Sequence, residues 1–138
     1  MALEWKYSPE ADTLRRKGLN VTRRRVDILK LLGKAHTPLS AEQMHEKLVG
    51  SDLVTVYRTL QSFEDAGLVS KIRLGGGGAR FERAGVHHHH LVCTSCEKIE
   101  ELDMPEKDMN KAALKSSKTF SRVSAHSLEF FGLCRNCA

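Results

Sequence analysis

The feature that most constrains this chain is a repeated cysteine spacing, Cys93-Thr-Ser-Cys96 and Cys134-Arg-Asn-Cys137. Two thiolates three positions apart on a tight turn can reach one ion, and two such turns complete a tetrahedral four-sulfur site with no open coordination position. Residues 97–133 lie between the pairs. That is longer than the loop of a compact zinc ribbon, so a helix has to fit inside the closed segment. Other uses of cysteine are a redox-active pair or buried free thiols. Two matched pairs, in a chain that opens with no apolar signal-peptide core, point instead to structural Zn2+ in a reducing, cytoplasmic compartment. Such an ion pins the chain terminus onto a sheet and contributes folding free energy to a unit too small to hold itself together by apolar burial. No apolar run reaches membrane length, which excludes a spanning helix and a membrane partner.

Charge separates a second region from this one. The 138 residues carry 22 Lys and Arg against 17 Asp and Glu. Residues 1–83 hold fifteen basic and ten acidic side chains, which leaves seven of each for residues 84–138. All four cysteines and five of the seven histidines fall in the second part. The expectation is two modules divided there, the first built to meet a polyanion and the second to hold metal.

The first module reads as short helices followed by a hairpin. Thr22 caps a helix running to about Lys34, with Val26, Leu29 and Leu32 on one face. Ser40 followed by Gln43 is a capping box that opens a helix ending at Gly50, with Ala41, Met44 and Leu48 inward. A third helix spans about 52–66. Residues 68–74 alternate like a strand, Gly75 to Gly78 turn, and 79–82 return. The four-glycine run lacks the Lys-Ser/Thr of a nucleotide-binding loop and reads as a wing tip. The module is therefore predicted to be a winged helix-turn-helix. On its third helix Leu53, Val56, Leu60 and Phe63 share one face, and Val54, Tyr57, Arg58 and Gln61 lie opposite. That outer face carries no carboxylate before Glu64. It offers an arginine suited to bidentate guanine contact and a tyrosine whose ring can cover a thymine methyl. Arg23, Arg24 and Arg25 are placed for phosphate contacts.

The second module is predicted to be a sheet with one helix: strands over 87–93 and 99–102, a helix over 105–118, and one or two strands over 120–133. The whole chain is thus α+β, a winged helix-turn-helix followed by a small α/β dimerisation domain. His87, His88, His89 and His90 lie on the first of these strands, so His87 and His89 face one way and His88 and His90 the other. Each face offers half of a metal site, and Glu82, Glu101, Asp108 and His126 are available to complete them. A nitrogen and oxygen donor set suits exchangeable Fe2+, Mn2+ or Zn2+.

These residues resemble the ferric uptake regulator family of metal-dependent bacterial repressors. The resemblance runs from Gly18-Leu19-Asn20-Val21-Thr22 to Cys137. It includes Leu39-Ser40-Ala41-Glu42, Thr55-Val56-Tyr57-Arg58, Ala66-Gly67-Leu68-Val69, the histidine run leading into Cys93, Ala125-His126-Ser127-Leu128, and Gly132-Leu133-Cys134. It implies a homodimer that binds double-stranded DNA at an AT-rich palindromic operator, and no enzymatic activity. Tyr57 and Arg58, with Thr55, would contact DNA. Cys93, Cys96, Cys134 and Cys137 would hold structural zinc. Glu82, His88, His90 and Glu101 would form the regulatory site at the domain junction, and His87, His89, Asp108 and His126 a third site. Pro38 stands where the family usually has a regulatory-site histidine, and His36 is the candidate replacement. Asn20 replaces a frequent basic residue, Glu97 a frequent glycine, and His89 a frequent acid. Glu82, where zinc sensors often carry cysteine, ranks Fe2+ first, Zn2+ second and Mn2+ third. The rival readings are a zinc hydrolase or deaminase, which lacks its His-x-Glu signature here, and a metal store, which leaves the Tyr57-Arg58 helix unused.

Overall fold

The structure, a computed structural model, describes residues 3–85, 89–102, 109–124, 126 and 128–138. The chain divides into two compact units, Met1–Val86 and His87–Ala138.

The first unit opens with a short 3-10 helix, Glu4–Tyr7, and a helix the sequence pattern did not reveal, α1 (Pro9–Arg16). The Ser8 side chain caps α1 by accepting from the Ala11 amide, and Pro9 occupies its first turn, where a missing N–H costs nothing. Next come α2 (Arg23–Lys34), α3 (Ala41–Lys47) and α4 (Leu53–Asp65). Each starts at a side-chain cap: Thr22 accepts from the Arg25 amide, Ser40 and Gln43 close a reciprocal box, and Asp52 accepts from the Thr55 amide. The α3 helix ends at Lys47 rather than at Gly50, because Leu48 already has extended backbone angles. The α4 helix ends in a Schellman turn: the Leu68 amide donates to the Phe63 carbonyl and the Gly67 amide to Glu64. Gly67 takes φ +76°, which a residue with a Cβ adopts only under strain.

Strands β1 (Val69–Arg73) and β2 (Ala79–Arg83) pair antiparallel from Val69 opposite Arg83 to Arg73 opposite Ala79. Leu39 adds a two-way backbone bridge to Phe81, tying the segment before α3 to the hairpin. The result is the predicted winged helix-turn-helix. Its interior is one apolar cluster in which Leu14 of α1, Ile28 and Leu29 of α2, Met44 of α3 and Phe63 of α4 are fully buried.

The second unit contains β3 (His89–Cys93), β4 (Ile99–Leu102), α5 (Met109–Ser116) and β5 (Glu129–Gly132). The sheet order is β4-β3-β5, antiparallel on one side of β3 and parallel on the other. Over 120–133, only Glu129–Gly132 is strand among the described residues. Among the described residues no helix is long and apolar enough to cross a membrane.

Candidate metal centres and nucleic-acid interface

Parallel pairing of β3 with β5 sets Cys93 opposite Gly132. Both strands therefore end side by side, and each runs straight into a Cys-x-x-Cys turn. The Thr94 amide donates to the Gly132 carbonyl at 2.9 Å, which locks the two exits together. Within the turns, Glu97 N donates to Cys93 O at 3.0 Å and Cys137 N to Cys134 O at 3.0 Å. The four sulfurs consequently gather within 4.8 Å of one another, with Cys96 Sγ 3.8 Å from Cys134 Sγ. This is the four-cysteine cluster expected from the spacing.

The electrostatics of the cluster are those of a cation site. Backbone N–H groups of Cys96, then Cys134 and Ser95, point at the Cys93 sulfur and bring its pKa down to about 6. The Cys134 amide, at 3.4 Å, is one of them. Hydrogen bonding from Cys137 lowers Cys134 as well. At Cys137 a Ser95 hydrogen bond pulls down, but its three cysteine neighbours and burial outweigh it and push the thiol up to about 11. Sulfurs crowded this closely resist sharing negative charge unless a cation joins them. A four-sulfur set with no oxygen or nitrogen donor suits Zn2+ among the common ions, and it leaves no open position for a substrate.

The histidines occupy the same sheet. His89 and His90 are each 4% exposed, a deep burial for imidazole. His90 lies opposite Glu101 in the β3–β4 register, with the ligand atoms within 4.8 Å. His89, on the other face, sets its Nε2 3.3 Å from Nε2 of His126, with the rings stacked at 5.6 Å. Asn110 of α5, which the sequence pattern did not single out, accepts at Oδ1 from His126 Nδ1 at 2.7 Å. That contact fixes the tautomer and turns the Nε2 lone pair toward His89, as outer partners of metal-binding histidines do. His87, His88 and Asp108 lie outside the described residues. In the first unit, Glu82 is half-buried on β2, while His36 is exposed in the loop after α2, two residues before the buried Pro38.

On α4 the predicted division of faces is realised. Val56, Leu60 and Phe63 are buried, Leu53 is half-buried, and Val54, Tyr57, Arg58 and Gln61 are exposed. Thr55 is half-buried and donates from its hydroxyl to Asp52 at 2.9 Å. The three arginines at the start of α2 each have an acceptor within the unit. Arg23 pairs with Asp27 at 3.2 Å, Arg24 donates to Val49 O at 3.3 Å, and Arg25 donates to Asn20 O at 2.8 Å.

A winged helix with Tyr57 and Arg58 outward, joined to a small unit rich in metal ligands, defines a metal-responsive DNA-binding regulator. The Ferric uptake regulator family matches residues 16–131, and the chain belongs to it. Members of this family are dimeric, metal-responsive transcriptional repressors. The chain is 37% identical over 134 residues to the ferric uptake regulation protein of Legionella pneumophila, covering 93% of this chain and 98% of that one. It is 29% identical over 139 residues to the peroxide-responsive repressor PerR of Staphylococcus saprophyticus, covering 98% and 93%. Among solved structures it resembles the ferric uptake regulator Fur of Helicobacter pylori, a protein with three functional metal-binding sites. There the TM-score is 0.74 at 26% identity, covering 98% of this chain and 93% of that one. These relatives are regulators rather than enzymes.

Proposed function

We propose that this protein is a cytoplasmic homodimeric repressor that binds an AT-rich palindromic operator when Fe2+ occupies a regulatory site, with Zn2+ held permanently by Cys93, Cys96, Cys134 and Cys137. The observation that carries the reading is that one small sheet presents two chemically distinct donor sets. The all-sulfur cluster is closed and soft, suited to an ion that stays. His90 with Glu101 is a nitrogen and oxygen pair, suited to a harder ion that exchanges. His88 and Glu82 complete the regulatory set on the strength of the family resemblance, with His36 as a further candidate. The pair His89 and His126, with His87 and Asp108, is assigned to the third site. At the duplex, Arg58 takes the base-reading role with Tyr57, and Thr55, Arg23, Arg24 and Arg25 take backbone roles.

The ion must favour the DNA-competent state over its alternatives for the switch to work. A 100-fold difference in affinity between states corresponds to about 2.7 kcal/mol. The test is fluorescence anisotropy on a duplex enriched from a randomised pool, at fixed salt, with the four-cysteine zinc verified at one per chain. Fe2+ is expected to tighten binding roughly 100-fold over the same protein without regulatory metal. Equal affinity with and without metal overturns the switch. A larger response to Zn2+ or Mn2+ at matched free concentration reassigns the ion.

A further inference from the structure

The sequence of α4 places no carboxylate on its outer face before Glu64, yet the fold supplies one. Glu42 stands in the first turn of α3, between Ser40 and Gln43 of the capping box. Its Oε1 accepts a hydrogen bond from the hydroxyl of Tyr57 on α4. The phenol, then the local backbone N–H and the Arg80 guanidinium, hold the Glu42 carboxyl below its ordinary range. The same hydrogen bond, with some burial, raises the Tyr57 phenol above its ordinary range. Both residues are exposed, Tyr57 at 46%. A free phenol on such a surface samples several rotamers; this one is tied to a neighbouring helix. An anionic side chain among groups assigned to a polyanion also weakens general affinity, so its presence calls for a gain elsewhere.

We propose that Glu42 is a positioning residue for base recognition: it accepts the one hydrogen bond the Tyr57 hydroxyl can donate and fixes the ring. The inference rests on the DNA-contacting role of α4 proposed above. With its proton committed, Tyr57 meets a duplex with a ring face and oxygen lone pairs only. It can then cover a thymine methyl or accept from the amino groups of adenine N6 or cytosine N4. It cannot donate to a phosphate, to guanine O6 or N7, or to thymine O4. Without Glu42 the hydroxyl is free to donate to any backbone phosphate, a contact blind to sequence. The carboxylate thus converts a group that would grip every duplex into one that discriminates, and its charge disfavours sequences that return no matching contact.

The test compares dissociation constants for the duplex enriched by the zinc-loaded, Fe2+-loaded wild-type protein and for a scrambled duplex of the same composition. Glu42→Ala is expected to lower the scrambled-to-selected ratio about 10-fold, largely by tighter binding to the scrambled duplex. Glu42→Gln keeps an acceptor oxygen and is expected to retain most of the ratio, which separates positioning from charge. An unchanged ratio in Glu42→Ala overturns the proposal. A second measurement needs no DNA. In a Tyr7→Phe background Tyr57 is the sole tyrosine, and its phenolate absorbance reports the hydroxyl directly. Its titration is expected to move down toward the ordinary phenol value on Glu42→Ala, and a titration that does not move overturns the proposal. If wild type enriches no duplex at all, the DNA-contacting role falls and this inference with it. An enriched duplex with an unaltered ratio removes the Glu42 assignment alone.

Discussion

The two units of this protein are folded by different physics. In Met1–Val86 the interior is apolar and continuous: Leu14, Val26, Ile28, Leu29, Met44, Val56 and Phe63 are fully buried in one cluster. In His87–Ala138 the buried residues among those described are Val92, Cys93, His89 and His90. Phe120, Phe131 and Leu133 are left exposed there, at 71%, 49% and 59%. The first unit has what a domain of its size needs to stand alone, and the second does not. An interior of imidazole and thiol is unfavourable unless each group finds a partner, and the partner that suits both chemistries is a cation. The contrast predicts a division of labour: the first unit stays folded whatever the metal status, while the second needs bound ions or a partner subunit to complete its order.

The sharpest way to break this contrast is to remove the sulfur-bound metal. Structural zinc supplies about 10–16 kcal/mol of apparent binding energy in comparable small domains. Chelation under denaturant-free conditions, or Cys134→Ser, is expected to collapse β3, β4 and β5 while α2 and α4 stay folded. Hydrogen exchange resolved by peptide reads the two units separately. Sheet amides that remain protected after the metal is verified absent would show that packing, not the ion, holds the second unit.

The converse experiment strikes the apolar unit. Phe63 is fully buried on α4 beneath the exposed Tyr57-Arg58 surface. Phe63→Ala is expected to cost about 3–5 kcal/mol, a large fraction of the stability of a small domain. Trp5, the only tryptophan, packs against that cluster and reports its urea transition. The zinc affinity of the four cysteines is expected to stay within about twofold of wild type. A parallel fall in zinc affinity would mean that the units are not energetically separate.

The same contrast explains what could be read from the sequence. Local chemistry was legible: the Thr22 and Ser40 caps sit where the side-chain pattern put them. The cysteine spacing announced its own cluster. The α1 helix leaves little trace in the sequence pattern because it buries just Ala11 and Leu14, too little to set up a periodic stripe; its one local signal is the Ser8-Pro9 start. The extent of β5 was not legible either, because parallel pairing with β3 decides it, not the alternation over 120–133. Two site contacts depend on tertiary placement alone. Glu42 reaches Tyr57 from another helix, so a wheel drawn for α4 shows a face free of acid when the folded surface is not. Asn110 reaches His126 from across the unit.

The smallest expected effect concerns strain inside the metal-held turn. Glu97, which follows the second cysteine, has φ +64°, and it is the one residue other than glycine given a positive φ among those described. A left-handed conformation costs a residue with a Cβ about 1–2 kcal/mol. This gives a physical reason for a glycine at such a position. Glycine would remove that strain but bring about 0.5–1 kcal/mol of extra chain entropy lost on folding. The entropy offsets about half of the strain, and Glu97 has a further interaction that also sets a limit on the gain. Glu97→Gly is therefore expected to tighten zinc binding by at most about 1 kcal/mol, or up to roughly fivefold in a chelator competition. A gain of that size would show that the ion holds the turn in its strained form at a measurable cost to its own affinity. Weaker binding would instead make Glu97 a contributor to the turn, through contacts worth more than the strain they accompany.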